Sequence, residues 1–544
     1  MAREPHVSDP TRRSFVAAGT VALANVAIAR RMPVQAPTYD LVVRGGTVFD
    51  GTASAGRELD VATRDGRMAA IGPGLPGRGR DEIDARGRAV APGFIDIHSH
   101  GDGSLDDDPR AESVIRQGIT TIIVGQDGSS RGEDPGQLRP WRERLERSRV
   151  AVNVATMIGL GSVRGAVVGD VDRPASPTEL QRMVRMVTSA VEQGACGASS
   201  GLEYTPGAFA GREELIALCR PLAARRLVYA THMRNEDDQL LDSIDESIAV
   251  AVGAGCGLQV SHLKTQGPRN WSRLGDAFAR IERARSTGLD VAFDRYPYIA
   301  YQTGLTNIFP VWSRDGGTNA FLARLDDPSV RDRIRAEALA KVDLIGGWDH
   351  VMVASARAVE DRAAEGKRLG AYAASLGADP YATAVAMLRR NRASVGMVGF
   401  AMSEENLDRI LAHPAGMVCS DGGAYAIEGP TRRGSPHPRG GGSFPRVLGR
   451  YVRERKALTL EQAIHKMTAF PASRVRLSDR GRLAVGHAAD LVVFDPGRVA
   501  DTATYEQPFQ YPVGISLVVV NGQVALRDGE RIGAHAGRPL SASS

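Results

Sequence analysis

Eight short apolar runs, each followed by a helical pattern, constrain this chain more than any other feature. They cover 93–97, 120–124, 152–157, 196–200, 227–231, 258–261, 291–293 and 417–419. Strand-length runs alternating with helices predict parallel strands joined by helical crossovers. Eight such units predict an α/β chain built on a (β/α)8 TIM barrel. Between the seventh and eighth runs lie about a hundred residues, where a βα connection takes ~2–6. Residues 300–400 are therefore expected to be an insertion, helical in part over 328–341, 358–376 and 380–390, lying as a lid over the face where the strands end.

The two ends have another texture. Tyr39-Asp40-Leu41-Val42-Val43-Arg44 leads into Gly45-Gly46, and Asp-Gly at 65–66 and Gly-Pro at 72–73 break up further short runs. Ala489–Phe494 reads as a strand, and 517–524 as a hairpin around Asn521-Gly522. Residues 39–90 and 480–537 are expected to form one small β-sandwich domain from both termini. That leaves 91–299 and 401–479 for the barrel.

Composition removes several classes. Hydrophobic residues make up 42% and charged residues 24%, an ordinary globular balance that excludes disorder, collagen and a multi-span membrane protein. Lys+Arg is 68 against 63 for Asp+Glu, so a net charge of +5 is no nucleic-acid footprint. The four cysteines, Cys196, Cys219, Cys256 and Cys419, form no CxxC pair and no disulfide scaffold. At the start, Thr11-Arg12-Arg13-Ser14-Phe15 precedes an apolar stretch to Ala29 ending in small residues. That is the pattern of a twin-arginine signal peptide over 1–29, so a periplasmic or secreted protein is expected. The stretch is too short to span a bilayer, and no other segment is long and apolar enough.

The strand ends carry the chemistry. The first run ends His98-Ser99-His100, and residues two apart on a strand point the same way. The second ends Gln126-Asp127-Gly128, the fifth at His232, the sixth at His262 and the eighth at Asp421. Four imidazoles and two carboxylates at matching ends predict a metal centre. Such donors suit zinc, and manganese and iron fit them too.

His-x-His after strand one, single histidines after strands five and six and Asp after strand eight resemble the amidohydrolase superfamily. Gly46–Gly51, Pro92–Asp96 and 488–492 are similar to its flanks. Within it, 197–207 (GASSGLEYTPG), 231–236 (THMRNE), 260–264 (VSHLK), 295–298 (RYPY), Ser420-Asp421-Gly422, 437–440 (HPRG) and 442–449 together look like the N-acyl-D-amino-acid deacylase (D-aminoacylase) family. The resemblance implies hydrolysis of an N-acyl amide of a small N-acyl amino acid by zinc-activated water. Asp127, His232 and His262 would hold one tight ion; His98, His100 and Asp421 would adjoin it and hold a second, weaker one. Asp421 would be general base and then acid. Lys264, Tyr296 and Arg439 would hold the substrate carboxylate, with Tyr204 lining the same pocket and Tyr298 competing with Tyr296. His437 is expected as a supporting or purely structural group.

Two departures stand out. The family's Asn-Cys-Gly after strand two is Gln126-Asp127-Gly128 here, and its Gly-His after strand three is Gly159-Leu160. Two rival readings are a cyclic-amide hydrolase of the hydantoinase or dihydroorotase kind and an inactive periplasmic metal-binding module. The bridging strand-four lysine of many binuclear amidohydrolases is missing, since Lys264 is the first lysine in the chain. That argues against the first rival, and the nearly complete ligand set argues against the second.

Overall fold

The computed structural model describes residues 38–132, 134–533 and 535–543. The expected signal over 1–29 lies outside these residues. Eight parallel strands form within one or two residues of the apolar runs: β1 (Phe94–Asp96), β2 (Ile119–Val124), β3 (Asn153–Thr156), β4 (Gly197–Gly201), β5 (Val228–His232), β6 (Gly257–Val260), β7 (Val291–Arg295) and β8 (Gly416–Val418). β1, β2 and β3 pair in order, as do β4 to β8. Ile158-Gly159, continuing from β3, pairs with β4. The Asp421 amide donates to the His98 carbonyl (2.8 Å) and the His100 amide to that of Gly422 (2.9 Å), so hydrogen bonds join the segments just past the ends of β8 and β1. Ile95, Ile123, Ala155, Cys196, Ala230 and Ala292 belong to one core cluster, and the outward residues pack under the helices. Both faces of the strands are thus buried, which is why the runs read as continuously apolar.

Both termini build one nine-stranded sheet, with strands between Tyr39 and Pro92 and between Leu491 and Arg531. Asp65-Gly66 and Asn521-Gly522 turn its hairpins with positive φ at both residues, as a tight two-residue turn requires. Leu41 and Val61 from one half share an apolar cluster with Leu491 and Leu517 from the other.

Between β7 and β8 the helices Arg331–Ile345 and Pro380–Arg390 lie where expected. The stretch expected as one helix over 358–376 divides into a 3-10 turn at Val359–Ala364 and a helix at Leu369–Ser375, with Gly366 at φ 78° between them. A feature absent from the sequence reading is a three-stranded antiparallel sheet of Tyr301–Gly304, Val395–Gly399 and Val351–Ala356. No helix among the described residues is long and apolar enough to cross a membrane.

Candidate active site

The C-terminal ends of the strands open into a cavity of about 690 Å³. His100, Asp127, His232, His262, Asp421, Lys264, Tyr296, Arg439 and Tyr204 all line it, and His98 is fully buried directly beneath. The six expected ligand residues converge. His98 Nε2 lies 3.5 Å from Asp127 Oδ1 and 3.6 Å from Asp421 Oδ1. His100 Nε2 is 3.4 Å from Asp127 Oδ2 and 3.1 Å from Asp421 Oδ1. On the other side Asp127 Oδ2 is 3.5 Å from His262 Nε2 and 3.8 Å from His232 Nδ1, and those two nitrogens are 3.0 Å apart. Asp127 therefore stands between two donor groups, His98–His100–Asp421 and His232–His262, and belongs to both.

The backbone is bent to achieve this. Asp127, His262 and Asp421 adopt φ of 51°, 33° and 48°, a region that side chains with a Cβ enter only at a cost. Each is the residue at or just past a strand end, where the left-handed turn swings the side chain inward. The loop after β2 is tied to β4: Ser199 Oγ donates to the Gly125 carbonyl (2.6 Å) and accepts from the Gly128 amide (3.0 Å). Gly201 passes so close to the Asp127 carbonyl that a Cβ there would collide with it.

Carboxylates behind the imidazoles orient them. Glu236 Oε1 faces His262 Nδ1 at 3.1 Å, and Glu203 Oε2 faces His232 Nε2 at 3.4 Å, leaving the opposite nitrogens turned toward Asp127. Asp294 accepts from the His262 amide (2.8 Å) and lies 3.5 Å from His98 Nδ1. Burial by itself would keep His98 and His100 neutral. Asp127 with Asp294 raises His98 well above the ordinary imidazole value, and Asp127 with Asp421 brings His100 to about 9. Burial would raise Asp127 and Asp421. His98 and His262 hold Asp127 far below the usual carboxylate range, and Arg439 with His262 does the same for Asp421. Without a metal these directions favour pairing of His98 and His100 with Asp127 and Asp421, and a divalent cation would compete with the protons for the same atoms.

The expected carboxylate-binding residues form one wall. Arg439 donates to Asp421 Oδ2 (2.7 Å) and lies 4.7 Å over the Tyr296 ring. Its Nε and the Tyr296 hydroxyl are buried with no hydrogen-bond partner. Lys264 gives its ammonium to both oxygens of Glu236 (2.6 and 2.7 Å) and reaches His262 Nδ1 at 2.7 Å. Tyr204 packs its ring 4.7 Å from that of His232, and its hydroxyl accepts from Thr303 (3.2 Å). The choice between tyrosines resolves geometrically. Tyr296 lines the cavity, whereas Tyr298 donates to Asp501 (3.3 Å) away from it. His437 accepts from the Arg439 amide (2.9 Å) and faces the Ala300 carbonyl (3.0 Å), so it is a neutral support for the Arg439 turn.

Glu203, Glu236, Asp294, Gln302 and Asn307 went unrecognised as site residues. Glu236 had a signal, four residues beyond His232 and so one turn on in a bend. Gln302 and Asn307 come from the insertion, which no motif marks; Asn307 donates to Glu203 (3.1 Å) and Gln302 accepts the His437 amide (2.8 Å).

The donor chemistry fits a divalent cation. Imidazole and carboxylate atoms gather within 4.8 Å of one another, and both His98 ring nitrogens and Asp127 Oδ1 are buried without a hydrogen-bond partner. β4 carries no lysine, reading Gly-Ala-Ser-Ser-Gly.

Comparison with known proteins agrees. Residues 422–526 match the model of the amidohydrolase family. The chain is 37% identical to N-acyl-D-glutamate deacylase of Alcaligenes xylosoxydans xylosoxydans, over 89% of this chain and 93% of that one. It is 33% identical to D-aminoacylase of the same organism, over 92% and 98%. The crystal structure of N-acyl-D-glutamate deacylase from Bordetella bronchiseptica, complexed with zinc and a phosphonate that mimics the tetrahedral intermediate, superposes with a TM-score of 0.79. It is 35% identical and covers 93% of this chain and 100% of that one. The chain therefore belongs to the amidohydrolases, in the N-acyl-D-amino-acid deacylase (D-aminoacylase) family.

Proposed function

We propose that this protein is a metal-dependent hydrolase that cuts the N-acyl bond of N-acyl-D-amino acids, linear amides and not cyclic ones. One observation carries the reading: six metal-type donors converge at a cavity wall where Arg439 Nε and the Tyr296 hydroxyl wait unpartnered. A cleft offering donors for a cation beside donors for an anion suits a substrate with a carbonyl and a carboxylate a few atoms apart.

Asp127, His232 and His262 would hold the principal ion, which we take to be zinc. His98, His100 and Asp421, with Asp127, would hold a second, weaker one. A divalent ion there supplies Lewis acidity toward the amide carbonyl and makes water acidic enough to attack near neutral pH. The protein's own groups do the rest. Arg439 and Tyr296 fix the substrate carboxylate by charge-assisted hydrogen bonds, with the Lys264 charge, itself bonded to Glu236, beside them. Asp421 Oδ1 takes the proton of the attacking water while Arg439 holds Oδ2, and returns that proton to the amide nitrogen as the C–N bond breaks. Glu203 and Glu236 stand behind the His232 and His262 rings and leave His232 Nδ1 and His262 Nε2 facing Asp127.

The eight strands are inferred to close as a (β/α)8 barrel, which the hydrogen bonds between the segments just past β8 and β1 support. The terminal sheet is inferred to curl into a sandwich, supported by the apolar cluster that its two halves share. Residues 300–400 would wall and cover the site, and the Arg12-Arg13 segment would direct export to the periplasm or medium.

Metal analysis of the purified protein, combined with a panel of N-acetyl-D- and L-amino acids and cyclic ureides, tests the proposal. Stoichiometric zinc with turnover of the D-acyl compounds is expected. A metal-loaded protein that cleaves none of them, or prefers the ureides, overturns it.

A further inference from the structure

Resting on the deacylase reading above, we infer that the amino-acid half of the substrate carries an uncharged side chain. Among the described residues, the cations lining the main cavity apart from imidazoles are Lys264 and Arg439. They stand on one wall with Tyr296. Arg439 covers the Tyr296 ring, and Lys264 touches His262, whose ring is 6.4 Å from that of Tyr296. Each cation already has a carboxylate partner, Glu236 for Lys264 and Asp421 for Arg439. The donors still open, Arg439 Nε and the Tyr296 hydroxyl, amount to a seat for one carboxylate. The α-carboxylate common to every acyl amino acid takes it.

Among the described residues no third lysine or arginine lines the cavity for a second carboxylate; the Tyr301 and Tyr425 hydroxyls, also unpartnered there, are neutral donors. The facing wall is small and neutral, built from Ser129, Ser162, Gly165, Pro206, Gly207 and Thr303. The other charged group along it is Glu203, whose Oε2 is engaged by Asn307 and His232. Two further cations, Arg314 and Lys341, belong to a separate cavity of about 210 Å³ that shares only Glu203 and Asn307 with the first. Lys341 is bound to Asp237 (2.5 Å) and Arg314 donates to the Glu203 carbonyl (3.0 Å), so both balance that wall from behind. A second carboxylate would be desolvated beside Glu203 without a cationic partner, the costly case for a buried charge. A neutral side chain meets uncharged lining: glycine, serine, threonine and proline, with tyrosines and amides such as Tyr301 and Gln302. Three relatives of similar identity carry different names: an N-acyl-D-glutamate deacylase (37%), an N-acyl-D-aspartate deacylase (35%) and a D-aminoacylase (33%), the last named for no particular side chain. Overall identity therefore does not decide the question, and the charge lining this cavity favours the neutral class.

The test compares kcat/KM of the metal-loaded full chain for N-acetyl-D-glutamine and N-acetyl-D-glutamate, near-isosteres that differ by one charge, with N-acetyl-D-leucine as an apolar reference. Glutamine and leucine are each expected to exceed glutamate by about 100-fold or more. Glutamate equal to or better than glutamine overturns the inference and leaves the deacylase reading standing. Turnover of none of the three by metal-loaded protein overturns both.

Discussion

At the level of single residues, the site is a set of opposed charges held at short range. Asp421 joins two tasks in one carboxyl group, with Oδ1 toward His100 and Oδ2 on Arg439. Asp421→Asn keeps the shape and removes the base. Turnover is expected to fall about 1000-fold, with the metal held by Asp127, His232 and His262 retained, as read by steady-state kinetics beside metal analysis. His437 gives a pH signature. Burial and the neighbouring Arg439 keep its imidazole well below the ordinary value, and its two hydrogen bonds need the neutral form. An unfolded histidine binds its proton near pH ~6.5, so below that point the unfolded chain carries one proton more than the folded one. This contribution to stability is thus fully present above pH ~6.5 and is lost as the pH falls toward the folded pKa. Thermal melts between pH 7 and pH 5 are expected to show the loss, and His437→Gln to flatten it. Identical melting slopes in the two proteins would contradict the assignment.

At the level of elements, the site depends on how strand ends approach one another. The loop after β2 sits on the end of β4, with Ser199 pinning Gly125 and Gly128 and with Gly201 against the Asp127 carbonyl. Gly201→Ala pushes that carbonyl away and moves the shared ligand Asp127. Metal content is expected to fall while far-UV circular dichroism stays near native, because the strand pairing of β4 is otherwise untouched. The insertion takes part in the same way. Asn307, Thr303 and Gln302 contact Glu203, Tyr204 and His437, so the segment between β7 and β8 is a built wall of the cavity.

For the whole molecule, a metal bound at this site would be a cross-link. Its prospective ligands come from the ends of β1, β2, β5, β6 and β8, so one ion ties together strands far apart in the chain. Binding to the folded state alone stabilises by about 4 kcal/mol when free metal is 1000 times Kd. Chelation is therefore expected to lower the melting temperature. Acid is expected to weaken metal binding, since imidazoles that must be neutral to ligate are then protonated. A melting temperature indifferent to chelator would show that the ligands do not bind across the strands.

Much of this was legible in the primary structure, for definite reasons. Strands buried on both faces carry mostly small or apolar residues without alternation, so all eight were visible, and candidate ligands stand at strand ends, so His98, His100, Asp127, His232, His262 and Asp421 could be placed by counting. Pairs such as Asn521-Gly522 announced their turns because few residues tolerate positive φ in succession. Tertiary structure alone decided what depends on contacts between distant segments. It chose Tyr296 over Tyr298, set Glu203 and Glu236 behind the imidazoles, and brought Gln302 and Asn307 from the insertion to the cavity. It also turned Asp127, His262 and Asp421 into the left-handed region. None of these carries a local periodicity or spacing; each follows from which chain segments come to lie side by side once the core is packed.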